Sequence, residues 1–187
     1  MDGFADTSLS AHMVEHLLLM SFVPPLVLLG FPTVPLLRGL PRPVTRYIVA
    51  PFIRLRPLRR LGHLLTTPVV AWLVMNITFL GWHIPAAYDF ALRHERWHDF
   101  EHLCFLGTSI LFWWPIILPW PSHTRTRGWY LILYLVLADI VNTALSAFIA
   151  FCGKPLYTYY LTQPNPFGAS PMDDQVAGAV IMWVVGS

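Results

Sequence analysis

Apolar runs of membrane length, opened or closed by ionisable side chains, decide what this chain can become. The clearest is Leu103 to Leu118, which follows directly on His98-Asp-Phe-Glu-His102. In hydrocarbon a segment must satisfy its own backbone hydrogen bonds, so an apolar run of about 20 residues folds as a helix. Similar runs recur along the chain. We read spans at about 11–29, 65–82, 99–118 and 129–151, with a partial fifth at 171–187. The expected fold is all-α, a polytopic membrane helical bundle forming a single transmembrane domain over residues 1–187. Composition agrees: 56% of residues are apolar and 12% charged, against roughly a quarter charged in soluble domains.

Local signals set the boundaries. Thr7 to Ser10 offer hydroxyl caps for the first helix, and Pro24-Pro25 predicts a kink near its far end. Residues 38–63 mix arginines with Tyr, Ile, Val and Leu, as a basic interfacial segment does. Pro85 to Leu92 reads as a short surface helix. Ser170-Pro171-Met172-Asp173 has a hydroxyl cap, a proline at the first helical position and an acid in the first turn. From Pro171 to Ser187 there are 17 residues, at the lower limit for a span, which we read as a truncated helix. Cys104 and Cys152 are too few for a disulfide framework, and both read as packing. With net charge +2 and its arginines at helix ends, the chain is not expected to bind nucleic acid.

Arginine sets the orientation. Nine of the twelve Lys and Arg residues lie in the loops after the first and third spans. The positive-inside rule places those loops, with Arg54 and Arg125, in the cytoplasm, and Tyr88 and Tyr157 outside. Of the ten acidic residues only Asp139 falls near mid-membrane, where it must face protein or water with Asn142. His12, His16, His83, His94, His98 and His102 then gather at the outer face, while His63 and His123 are cytoplasmic and solvated.

The histidines come in a pattern. His12-Met-Val-Glu-His16 repeats the H-x-x-E-H order of His98 to His102. Residues four apart on a helix differ by about 40° in azimuth and 6 Å in height, so each pair of imidazoles can face one point. Glu15 and Glu101 lie on nearly the same faces, as ligands or as acceptors that fix the histidine tautomers. His83 is a fifth candidate. Met13, Met20 and Met172 offer thioethers nearby, and Asp173 or Asp174 can lie over the site. One interfacial histidine needs no function; two paired boxes and a fifth imidazole at one depth do. Imidazole with thioether suits copper.

The strings Met13-Val-Glu-His-Leu-Leu-Leu-Met20 with Pro24-Pro25, Trp82-His-Ile-Pro-Ala-Ala-Tyr-Asp-Phe-Ala-Leu92, and His98-x-x-Glu-His with Phe112-Trp-Trp-Pro115 carry a family resemblance. So does Asp174-Gln175 through Gly178 to Trp183. Together they resemble the caa3-type cytochrome c oxidase assembly factors, the CtaG-like family of the Bacillus type, over nearly the whole chain. The resemblance implies a multi-pass bacterial plasma-membrane protein of about seven spans, of which this chain holds four and a partial fifth. It further implies a non-enzymatic role in making active haem–copper oxidase, with oxidase subunits and the lipid bilayer as partners and copper as cargo on the extracytoplasmic side. The motif histidines carried over are His12, His16, His83, His98 and His102. Other classes compete. H-x-x-E-H is also the order of an inverted zinc peptidase, paired histidines can hold a di-iron oxidase centre, and an axial pair can hold haem. A purely structural oxidase subunit is the reading without metal.

Overall fold

A computed structural model describes residues 7–30, 35, 38–51, 55–117 and 128–186. Arg54, His123, Arg125 and Arg127, on which part of the expected topology rests, lie outside the described residues. The described residues form helices and no strand. In chain order these are α1 (Leu9–Leu29), α2 (Arg42–Val44, continued by a π turn over Thr45–Val49), α3 (Arg56–Leu65), α4 (Pro68–Trp82), α5 (Pro85–Leu92), α6 (Glu95–Ile117), α7 (Gly128–Phe151) and α8 (Pro171–Gly186).

Among the described residues three helices, α1, α6 and α7, are long and apolar enough to cross a membrane. The fourth span expected at 65–82 reaches that standard only when α3 and α4 are counted together across a 72° bend. The bend has a local cause. Thr67 sits before Pro68 and is held extended (φ −68°, ψ 137°), so the helix restarts with Pro68 at its first position. The 15 residues of α4 rise only about 22 Å, short of a ~30 Å hydrocarbon layer. α3 then leaves at an angle and buries none of its residues, with Leu58, Leu61 and Leu64 on the same exposed stripe.

The two expected helix starts are as read. Ser8 is extended and its Oγ accepts from the Ala11 amide at 3.5 Å. Ser170 Oγ accepts from the Asp173 amide at 3.2 Å and donates to Asp173 Oδ2 at 2.6 Å. Pro24-Pro25 takes a different form from a simple kink. A π turn over Leu18–Phe22 precedes the pair and α1 continues as one helix to Leu29. Residues 24 and 25 bring no N–H, so the Met20 carbonyl has no donor one turn on. The Trp113 indole of α6 supplies it, at 3.1 Å.

α4, α6, α1, α8 and α7 pack in that order into a ring that closes with α7 against α4. Each turns a buried stripe inward: Glu101, Phe105, Ser109, Phe112 and Pro115 on α6, and Asp174, Gln175, Gly178, Ala179 and Met182 on α8. Outward faces stay apolar and exposed, as Leu103, Ile132, Phe148 and Val184 show, which is the arrangement a lipid solvent favours. Gly178 sets the closest approach. A Cβ there would meet Met13 Cγ at 3.3 Å and the Ser10 Cα at 3.4 Å, so α8 and α1 touch almost backbone to backbone.

Candidate metal centre

The direction of each helix brings the histidines together at one end of the ring. α1 starts there, α4 ends there with His83 as its cap, and α6 starts there. His12 and His98 stack with ring centres 5.1 Å apart, and His16 lies 5.2 Å from His102. Within each box the centres are closer, 4.2 Å for His12 and His16 and 4.3 Å for His98 and His102. His12 is 0% exposed, His16 3% and Glu101 0%, so this is an interior and not a headgroup-level surface.

Two sets of donor atoms converge, His12 with His16 and His102, and His12 with His98 and Glu101, every donor within 4.8 Å of the others in its set. Around a tetrahedral ion with arms of about 2.0–2.1 Å, ligand atoms stand roughly 3.4 Å apart. Small rotations about the side-chain bonds close that gap. Among the described residues, neither ring nitrogen of His12 or His16 and neither oxygen of Glu101 has a hydrogen-bond partner, although none is exposed. The nearest approach is His16 Nε2 to Glu101 Oε1, at 4.0 Å. Buried polar atoms are expensive to leave bare. Neutral imidazoles beside a buried carboxylate are a donor set that a metal ion satisfies, so the residues present fit one.

His83 stands at the edge. Its ring is 6.2 Å from His16 and belongs to neither set. Its Nδ1–H donates to the Phe79 carbonyl at 2.7 Å, which leaves Nε2 with the lone pair. Burial pushes its imidazole down to about 4, so the ring is neutral at ordinary pH. Phe105, wholly buried, packs beneath at 4.7 Å from His16 and 6.0 Å from His83.

Several expected supports are engaged elsewhere. The Asp174 carboxylate accepts from Ser8 Oγ at 2.9 Å, the Leu9 amide at 2.7 Å and Ser10 Oγ at 2.6 Å, capping α1 from α8, and belongs to neither donor set. Glu15 and the exposed Asp173 belong to neither donor set. Met20 lies one turn beyond His16 and is buried, Met13 packs on Gly178, and Met172 is half-buried. His94 is exposed and bonds back to Phe90. Cys104 and Cys152 are free thiols; Cys152 Sγ lies 3.3 Å from the Ile149 carbonyl and 3.0 Å from the Lys154 carbonyl, either of which can accept its one proton.

Residues that sequence reasoning passed over form the cover. Pro85–Leu92 is no surface helix on its inner side, because Tyr88 and Ala91 are 0% exposed. Tyr88 lies 5.4 Å from His12 and 4.2 Å from Tyr157. Burial, with Tyr160 beside it, pushes its phenol well above the ordinary tyrosine range, so it faces the imidazoles uncharged. Tyr157, buried in turn, donates to the His83 carbonyl at 3.3 Å. Both tyrosines are buried within the bundle. Asp89 anchors this loop by accepting from the amides of Thr158 at 3.0 Å and Tyr159 at 3.2 Å. Gln175 holds its other end, through the Leu156 amide at 2.6 Å and the Ile149 carbonyl at 3.1 Å. The only advance signal was the density of Tyr in residues 157–160.

Taken together, a lipid-facing helical ring with buried imidazoles at one end defines a polytopic membrane protein built around a polar interior site. The chain belongs to the cytochrome c oxidase caa3 assembly factor family (Caa3_CtaG), whose model matches residues 1–187. It is similar to the uncharacterized proteins Mb0105 of Mycobacterium bovis and MT0111 of Mycobacterium tuberculosis, each 27% identical over 191 residues. Those matches cover 97% of this chain and 28% of each relative, so the chain spans little more than a quarter of their length. No solved structure matches it.

Proposed function

We propose that the chain aids the making of haem–copper oxidase by binding copper as cargo in the histidine cluster, at the extracytoplasmic side of a bacterial plasma membrane. It turns over no organic substrate. The observation that carries this reading is the convergence of His12, His16, His98, His102 and Glu101 with buried, hydrogen-bond-free nitrogens on His12 and His16. Family membership supplies the cellular setting. Imidazole is a ligand that suits copper, and the Glu101 carboxylate offsets the cation's charge in a region of low dielectric. His12 belongs to both donor sets, so an ion can pass from the His98 side to the His16 side without leaving that residue. The oxidase subunit that takes the copper would dock in the membrane beside this end of the ring.

The test is metal content. Chain purified in nanodiscs and loaded with copper under reductant should retain it, and His12→Ala or His102→Ala should lower the occupancy. His94→Ala, outside the cluster, should leave it unchanged. Full occupancy by zinc or iron with no copper would overturn the reading in favour of a zinc peptidase, di-iron or haem site. So would a deletion strain whose oxidase stays fully copper-loaded under copper limitation.

A further inference from the structure

Beneath the histidines the ring helices line a second, partly open space that the cluster does not use. It is a cavity of about 490 Å³ to which all five ring helices contribute. Met20 of α1, Met75 of α4 and Met182 of α8 line it, together with Asp139 and Asn142 of α7. Met20 is one turn below His16, about 6 Å along the axis. Phe79 joins the two spaces: it lines the cavity and also lies 4.5 Å from the His83 ring.

Asp139 poses the chemical question. Its Oδ1 is buried with no hydrogen-bond partner among the described residues, and among them no Lys, Arg or His lines the cavity. A carboxylate inside a membrane bundle needs a counter-charge or a proton. The neighbouring amides do not supply one. Asn142 donates to the Met182 carbonyl at 3.0 Å and Asn76 to the Trp72 carbonyl at 2.9 Å. Besides the Ser21 hydroxyl and the amide oxygens of Asn76 and Asn142, the wall carries the thioethers of Met20, Met75 and Met182, which select soft cations. Ser109 Oγ donates to Met75 Sδ at 3.6 Å and Thr108 donates to the Cys104 carbonyl at 2.7 Å, so of the two lone pairs on the Met75 sulfur one is left for the cavity.

We propose that this cavity is a second station for a soft monovalent cation, Cu(I), held by the thioethers of Met20, Met75 and Met182 with the Asp139 carboxylate as counter-charge. The proposal rests on the histidine cluster being a copper site and adds where the ion goes next and in which form. No electron is exchanged: the ion leaves nitrogen donors for sulfur donors and stays Cu(I). The volume is larger than a closed cage needs, which suits a stopping place from which an ion is released.

Ag(I), a soft monovalent ion that does not change oxidation state under these conditions, is the probe. Chain in nanodiscs is titrated with Ag(I), desalted, and its bound metal counted. The native chain should hold at least one ion more than Met20→Leu/Met75→Leu/Met182→Leu, a nearly volume-conserving change. X-ray absorption at the silver edge should lose its sulfur scattering in that variant and keep its nitrogen scattering. His12→Ala/His102→Ala should do the reverse. An unchanged ion count in the methionine variant, or no sulfur scattering in the native chain, overturns the cavity station and leaves the histidine reading in place. Loss in the methionine variant with none in the histidine variant overturns the histidine reading instead. If the triple variant does not assemble, Asp139→Asn decides: faster loss of sulfur-bound Ag(I) on desalting supports the station, and unchanged retention overturns it.

Discussion

At the histidine end, Asp174, Gln175 and Asp89 each tie distant segments together through several side-chain hydrogen bonds. In the lower half of the ring, contacts between helices rest on single bonds, such as Tyr134 to the Phe112 carbonyl at 2.9 Å and Trp113 to the Met20 carbonyl, and a cavity is left between them. The contrast follows from what each half must do. Imidazoles that are to meet at one point need fixed backbones, and charge-assisted hydrogen bonds from Asp174 fix the start of α1 while those to Asp89 fix α5. A cavity lined by methionines has walls that can yield. Small shifts among methionine side chains cost little.

Removing the Asp174 carboxylate should break the contrast most deeply. In Asp174→Ala the buried Ser8 hydroxyl and Leu9 amide lose their acceptor. Each stranded donor costs about 1–3 kcal/mol, so a loss on the order of 3 kcal/mol is expected, read as a fall in midpoint on thermal unfolding in detergent. Copper retention should fall with it, because α1 carries His12 and His16. Asp174→Asn keeps an acceptor and should lose less. Unchanged stability in the alanine variant would mean that the cap does not hold α1.

Gly178→Leu attacks the same helix pair from its apolar side. The added side chain meets Met13 and Ser10, and overpacking of this kind costs about 1–3 kcal/mol. The effect should be smaller than that of Asp174→Ala, since α1 can tilt about its cap. It should appear as a lower unfolding midpoint with the cap retained, and hydrogen exchange at the start of α1 should stay slow. Fast exchange there would mean that packing and cap are one unit.

The two halves were not equally legible in the sequence. Both H-x-x-E-H boxes were, because helical periodicity alone puts residues four apart on one face, and the arrangement at His12, His16, His98 and His102 follows. Asp174, read as a possible support over the site, turned out to cap α1 from α8. A carboxylate near a metal-like cluster is ambiguous until its partners are known, and its partner Ser8 is 166 positions away. Tyr88 was hidden for a similar reason: its cover over His12 needs the loop at Tyr157, and no local pattern announces a contact of that range. The short α4 was visible, since Thr67-Pro68 marks a helix start, but hydropathy ran across it. The cavity was not visible at all, because it is a property of five helices closing a ring.

The smallest effect tests the lower half directly. Pro24 and Pro25 remove the amides that would serve the Met20 carbonyl, and the Trp113 indole replaces them from α6. Trp113→Phe keeps an aromatic ring but strands that carbonyl. Hydrogen bonds between membrane helices are worth about 0.6 kcal/mol on average and up to about 1.7, so a loss of about 1 kcal/mol is expected. The unfolding midpoint should fall slightly and the histidine cluster should keep its copper, because the caps on α1 are at the other end. Met20 is also a wall of the cavity, so the same variant should release Ag(I) from its sulfur site faster while nitrogen-bound ion stays. If Trp113→Phe instead emptied the histidine cluster, the two ends of the ring would be one cooperative structure, and the division between a fixed end and a yielding end would be wrong.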